Sequence, residues 1–255
     1  MLKDFYLLRT QNELTSQRGD NNLIYPEIFK HCEVEAFFTD GGMGLKVQEV
    51  FKPSKALFMP VQRHTDTIVV LRKNTSLPPP DTVADAVISD REDVVTGVQS
   101  ADCVPILVFD KARKVTASVH AGWRGTAQEI LGGVLGRFFS EFKSDAADIV
   151  MALGPSIRSC CYEVGDEVIA AVSEATGEGD YVCIQSAGGK HIDLSTANKI
   201  QAVSLGVNPE NIWISPECTC CVSRYHSYRR SQKQNIATTG RQGAFITISY
   251  GDALS

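Results

Sequence analysis

The sequence predicts an α/β (α+β) fold, a single domain of mixed sheets with flanking helices. Three observations carry that prediction. Short β-branched runs crowd residues 56–120, each bounded by Gly, Pro, Asp or Asn, as strands are. Beyond residue 126, segments with apolar residues at helical spacing alternate with further strand-like runs. No repeat and no low-complexity tract divides the chain. The rigid "SLPPPD" (76–81) is too short for a linker. Residues 1–255 are therefore read as one domain, with about residues 1–30 peripheral to it.

In order, the expected strands are "ALFMPVQ" (56–62), "DTIVVLRK" (66–73), "DAVISD" (85–90), "DVVTGV" (93–98), "VPILVFD" (104–110) and "KVTASVH" (114–120). A helix follows. Thr126 and Glu129 stand three apart, as in a capping box. Ile130, Val134 and Phe138 then mark one face at a spacing of four. Gly132, Gly133 and Gly136 weaken this helix by roughly 1 kcal/mol each against alanine and are read as permitting close packing. "DIVMALG" (148–154) reads as a strand, "VGDEVIAAVSEATG" (164–177) as a helix, and "DLSTANKIQAVSLG" (193–206) as a helix ending at Gly206. "NIWIS" (211–215) and "AFITISY" (244–250) close the chain as strands.

Composition excludes several classes. The chain has 255 residues, 43% of them apolar, enough for a large core. Its net charge of −5 gives no basic field for nucleic acid or anionic membranes. No run approaches 18 uninterrupted apolar residues, and the first twenty residues hold no continuous apolar segment of the kind a secretory signal carries. A cytoplasmic location is expected. Eight cysteines, with adjacent pairs and a C-x-C-C run, do not resemble a secreted disulfide framework and are read chiefly as buried thiols. On that reading Cys160 and Cys161 are packing residues, and Cys218, Cys220 and Cys221 hold a metal only if another ligand joins them.

The run "VPILVFDKARKVTASVH" carries a chemical signal. Folded as a hairpin over a two-residue loop, Lys111-Ala112, it sets Cys103 opposite His120 at one sheet edge. Three readings follow: a structural Cys–His contact, a nucleophilic dyad, or a metal site lacking its third ligand. His64, just before the second strand, is the best third ligand among five histidines. His31, His191 and His226 read as ordinary surface or hydrogen-bonded residues.

"ADAVISD", "TGVQSADCVPILVFD", "VHAGWRG", "LGPSIRSCCYEVG" and "ECTCC…YHSYRR…TGR" stand in the order found in the laccase-domain family, which the chain resembles. Its members are also called YfiH-like, multicopper polyphenol oxidase or purine nucleoside phosphorylase proteins. The resemblance spans roughly residues 56–250, and "FFTDGG" resembles the family's N-terminal loop. It implies one α/β domain with a mononuclear Zn2+ held by His64, Cys103 and His120. It also implies purine nucleoside phosphorolysis, adenosine deamination, or a role in peptidoglycan editing. Copper and laccase chemistry are disfavoured: a blue-copper site takes two of the five histidines, leaving too few for a three-copper cluster. The chain departs from the family pattern at Arg63 and Thr65 ("QRHT" for Q-V-H-G), and Asp40 stands where an arginine is usual.

Arg124, Arg229 and Arg241 are candidate phosphate or ribose ligands, because guanidinium matches phosphate bidentately. Tyr162 and Trp123 offer flat faces to a purine. Asp102 is a candidate base or orienting residue beside Cys103 and His120. Two other classes stay open: a cysteine or zinc amidase using Cys103 and His120, and a non-catalytic metal-binding protein. The sequence leaves the preferred nucleoside and the oligomeric state open.

Overall fold

The computed structural model describes residues 22–52, 54–184 and 188–249. In chain order the elements are β1 (Leu23–Ile24), β2 (Val34–Thr39), β3 (Ala56–Phe58), β4 (Ile68–Leu71), β5 (Ala86–Ser89), β6 (Val94–Ser100), β7 (Val104–Asp110) and β8 (Val115–Ala121). Then come α1 (Trp123–Ala127), α2 (Ile130–Glu141), β9 (Ile149–Leu153), α3 (Asp166–Thr176), β10 (Val182–Ile184) and β11 (Lys190–Ile192). The last are α4 (Leu194–Ser204), β12 (Ile212–Ile214), α5 (Tyr228–Lys233) and β13 (Gln242–Ile248). Each expected strand and helix has a counterpart at its place in the chain, with Tyr250 outside the described residues. The expected periphery over residues 1–30 falls largely outside them too.

Two mixed sheets form the core, in the orders β1-β2-β13-β6-β3 and β12-β9-β7-β8-β5-β4, and β10-β11 makes a ribbon. Strand β7 shows why they stack. Its successive side chains point to opposite faces, and every residue is buried. Ile106 and Val108 pack toward Leu131, Leu135 and Phe138 of α2, and toward α3 and α4. Leu107 and Phe109 pack toward Phe38, Val98 and Ile246 of the five-stranded sheet. The order is thus helices, six-stranded sheet, five-stranded sheet, which is the α/β class with mixed sheets. Among the described residues no helix is long and apolar enough to cross a membrane.

Four local expectations are overturned in whole or in part. The β7–β8 loop is four residues long: Asp110 pairs with Val115, and His120 faces Pro105 where Cys103 was expected. Asp110 causes this, its Oδ1 accepting the N–H groups of Ala112 (2.7 Å) and Arg113 (2.8 Å), while Lys114 adopts φ 54°. A side-chain-capped turn replaces the tight hairpin. The shift of two residues leaves Cys103 and His120 on one face, because the pleat repeats every two. Thr126 is not a cap either. It is fully buried inside α1, its hydroxyl accepting from Asn198 Nδ2 at 2.9 Å, and Glu129 (φ 53°) makes the corner into α2 without a capping bond. Of the helix glycines, Gly133 lies close against Ile68, where a Cβ would come within 3.1 Å, but nothing lies within 4 Å of one at Gly136. Finally, only Cys218 of the eight cysteines is buried, and Cys160 and Cys221 are exposed, so the buried-thiol reading fails for most of the set.

Candidate metal centre and substrate cleft

Strand β6 ends at Ser100, and the chain crosses between the sheets through Ala101, Asp102 and Cys103 before entering β7. Cys103 therefore lies beside the end of β8, where His120 projects. His64 comes from the β3–β4 segment. The donor atoms of the three converge within 4.8 Å of one another. Cys103 Sγ is 3.8 Å from His64 Nε2, and the two imidazole centroids are 5.0 Å apart. Gly122 makes the approach possible: a Cβ there would lie 2.9 Å from Cys103 Sγ and 3.2 Å from His64 Cδ2.

The arrangement is organised by Asp85, a fully buried carboxylate just before β5. Its oxygens accept the backbone N–H groups of Arg63 (3.1 Å), His64 (3.0 Å) and Thr65 (2.7 Å), and the Thr65 hydroxyl (2.8 Å). His120 Nδ1 donates to it at 2.8 Å. This bond fixes the His120 tautomer and leaves Nε2 facing the other donors. The three consecutive N–H groups hold His64 in a left-handed backbone, φ 60°. Burial disfavours the Asp85 charge, yet the His120, Thr65 and Arg63 donors outweigh it and hold its pKa well below the usual carboxylate range.

Charge is redistributed accordingly. Burial resists ionisation of Cys103, but the facing His120 charge and hydrogen bonds from both imidazoles bring the thiol down to about 6. Burial likewise opposes a charge on His120, and the Cys103 sulfur with Asp85 lifts it to about 9. Both shifts have one direction: without a metal, the contact favours a thiolate facing an imidazolium. Two imidazole nitrogens and a thiolate form the mixed donor set of a three-ligand zinc site with a free position. Among the described residues no methionine, the usual weak axial ligand of blue copper, lines the cleft. Among the described residues, His31, His191 and His226 stand outside this cluster of candidate ligands.

These three side chains lie in a cleft of about 430 Å3, which Asp102, Arg124, Tyr162, Arg229 and Arg241 also line. Arg124 is exposed and stacks on Trp123, 4.4 Å from the ring centroid. Arg229 lies 5.4 Å from the Tyr162 centroid and donates to the carbonyls of Cys161 (3.4 Å) and Glu163 (3.0 Å). Arg241 donates to the Thr239 and Gly240 carbonyls at 2.9 Å. Burial pushes the Tyr162 phenol up to about 12, so it stays neutral. Asp102 has both oxygens engaged, by Thr219 Oγ1 (2.6 Å), Ser227 Oγ (3.0 Å) and the Arg229 N–H (2.7 Å). That is the geometry of a pin joining three segments, one that holds Asp102 in place on the cleft lining. The departures from the family pattern have local roles: Thr65 adds a hydroxyl to Asp85, and Asp40 caps its own turn through Gly42 (2.9 Å) and Met43 (3.2 Å).

Sequence reasoning misses Asp85 and Tyr228. The signal for Asp85 is an acid opening a buried strand in "ADAVISD". Tyr228 opens α5, a six-residue helix too short to show a period, and its exposed ring lines the cleft.

Residues 45–249 match the family model described as multi-copper polyphenol oxidoreductase laccase. The chain is 37% identical over 187 residues to a purine nucleoside phosphorylase of Clostridium acetobutylicum, covering 72% of this chain and 74% of that protein. It is 40% identical over 139 residues to an adenosine deaminase from an unknown prokaryotic organism, covering 54% of this chain and 53% of that protein. Its fold superposes on YlmD of Geobacillus stearothermophilus with a TM-score of 0.81 and 24% identity, covering 92% of this chain and 98% of that one. With so large a share of the chain matched, in sequence and in fold, this protein belongs to the multi-copper polyphenol oxidoreductase laccase family.

Proposed function

We propose that this chain is a zinc-dependent purine nucleoside phosphorylase, with adenosine deamination as a second reaction of the same cleft. The observation that carries the reading is the convergence of His64, Cys103 and His120 within 4.8 Å in a cleft that three arginines and three flat aromatic rings also line. The relatives named for these two activities support it.

Zinc held by the three side chains would supply a Lewis acid that polarises substrate oxygens and lowers the pKa of bound water. Asp85 keeps Nδ1 of His120 protonated, so the ring presents only Nε2 to the site. Trp123, Tyr162 and Tyr228 offer faces on which a purine can stack. Arg124, Arg229 and Arg241 offset the charge of phosphate and orient it bidentately. In phosphorolysis a phosphate oxygen bonds to ribose C1′ as the C–N glycosidic bond breaks and its electron pair leaves with the purine. In deamination water adds at purine C6 and ammonia departs. A volume near 430 Å3 suits one nucleoside with phosphate.

Incubation with adenosine, with and without phosphate, tests the reading by product chromatography, with Cys103→Ala as control. Adenine formed only with phosphate, absent from the variant and after chelation, supports phosphorolysis. Inosine formed without phosphate supports deamination. Absence of both products overturns the reading, and turnover of an amide substrate that survives chelation would point to Cys103 and His120 as a cysteine hydrolase.

A further inference from the structure

We propose that Cys160, Cys161, Cys218 and Cys221 form a second metal site, a tetrathiolate clamp for a zinc-like soft divalent cation that staples together two loops, one leading into Tyr162 of the cleft and the other bonded to Asp102. The four sulfurs lie within 4.8 Å of one another, although Cys161 and Cys218 are 57 positions apart in the chain. Cys221 Sγ is 3.6 Å from Cys160 Sγ and 3.3 Å from Cys161 Sγ. A tetrahedron with metal–sulfur bonds of about 2.3 Å has sulfur–sulfur edges of about 3.8 Å, close to these separations. A disulfide needs about 2.05 Å.

Exposure and local backbone point the same way. Cys160 and Cys221 are exposed, so hydrophobic burial does not explain the cluster. Each cysteine pair sits on a tight turn. The N–H groups of Cys161 (2.9 Å) and Tyr162 (3.0 Å) bond to the Arg158 carbonyl, and those of Cys221 (3.1 Å) and Val222 (3.0 Å) bond to that of Cys218. Parallel pairing of Ser156 with Cys218 brings the turns together, and the Arg158 N–H points at Cys218 Sγ at 3.4 Å. Such turns present two sulfurs each to a shared centre, as structural zinc sites require.

Binding forms four metal–sulfur bonds and releases four thiol protons, leaving two net negative charges and no change of oxidation state. The Arg230 guanidinium braces the second turn, bonded to the carbonyls of Thr219 (2.8 Å), Cys220 (3.0 Å) and Val222 (3.2 Å). The clamp abuts the cleft directly. Tyr162 follows Cys161, Arg229 reaches the Cys161 carbonyl, and Thr219 bonds to Asp102. The clamp would therefore hold the wall that carries Tyr162 and Arg229.

The full chain is purified from zinc-supplemented culture, and metal per chain is measured for wild type, Cys103→Ala and the double variant Cys160→Ser/Cys221→Ser. About one zinc retained by Cys103→Ala, and about one fewer in the double variant than in wild type, is the expected result. Cobalt substituted into Cys103→Ala should give the intense sulfur-to-cobalt charge-transfer absorption of a tetrathiolate. This readout remains decisive if the double variant fails to fold. Unchanged stoichiometry in the double variant, a metal-free Cys103→Ala, or a Cys161–Cys221 disulfide in the zinc-loaded chain overturns the proposal. The two sites separate cleanly, because loss of zinc from Cys103→Ala alone reports on the first.

Discussion

Asp85 Oδ1 receives His120 Nδ1–H at 2.8 Å and, on the same oxygen, the backbone N–H of His64 at 3.0 Å. One buried carboxylate thus orients two of three convergent donor residues from separate segments. Partners of this kind fix ring orientation and raise ligand basicity.

Asp85→Asn removes the charge and replaces one acceptor oxygen with a donor. Zinc affinity, measured by competition with a chromophoric chelator, should fall by roughly 10–100-fold. Unchanged affinity would show that the carboxylate does not support the donor set.

In metal-free protein, Cys103 should alkylate with a midpoint near pH 6, far below an ordinary thiol. The sign follows from the thiolate being the nucleophile: as pH falls through that value the sulfur is protonated and the rate drops. Cys160, pushed up to about 12 by burial and by neighbouring cysteines, should stay slow at neutral pH. His120→Gln should return the Cys103 midpoint toward about 8.5. Peptide-resolved mass spectrometry across a pH series reads both, and a wild-type midpoint above pH 8 would contradict the ion pair.

Gly122→Ala puts a methyl group 2.9 Å from Cys103 Sγ and 3.2 Å from His64 Cδ2, so one or both of these donors must shift. Metal content per chain should drop well below wild type while the far-ultraviolet circular dichroism stays native. Full retention of metal would show that the donor set tolerates the shift.

Gly136→Ala acts in the opposite sense. Gly136 is an exposed interior residue of α2, and a methyl group there would meet open space. Stability should rise by roughly 0.5–1 kcal/mol, a Tm gain of about 1–4 °C for a chain of this size. A lower Tm would place an unseen neighbour at that position.

Arg124→Gln keeps a long polar side chain near Trp123 but removes the guanidinium from the cleft rim. If the rim binds phosphate, kcat/KM for phosphate should fall about 10–100-fold, or about 1.4–2.8 kcal/mol, with the KM for nucleoside less affected. Equal losses for both substrates would assign Arg124 to the nucleoside.

Period and turn chemistry make most elements legible. The β7–β8 pair and the buried face of Ile130, Val134 and Phe138 are both short-range patterns, and both are found. The register differs by two because Asp110 caps a longer turn with its side chain, an option that competes with the tight hairpin and leaves no unique signature. Thr126 misleads similarly: its hydroxyl meets Asn198, a residue 72 positions away. The nominated residues His64, Cys103, His120, Arg124, Tyr162, Arg229 and Arg241 do line one cleft, whereas the organising role of Asp85 depends on contacts with residues 63–65 and 120 that no local pattern announces.

By itself the sequence determined the class of fold, the order of its elements and the kinds of donor available, because periodicity and side-chain chemistry are local properties. Tertiary structure alone decided which donors meet. It brought His64 to Cys103, put both oxygens of Asp102 to work as a pin, and gathered four thiols from two turns. Such contacts arise where two sheets and their crossing loops pack, and loop closure over tens of residues is governed by the whole core.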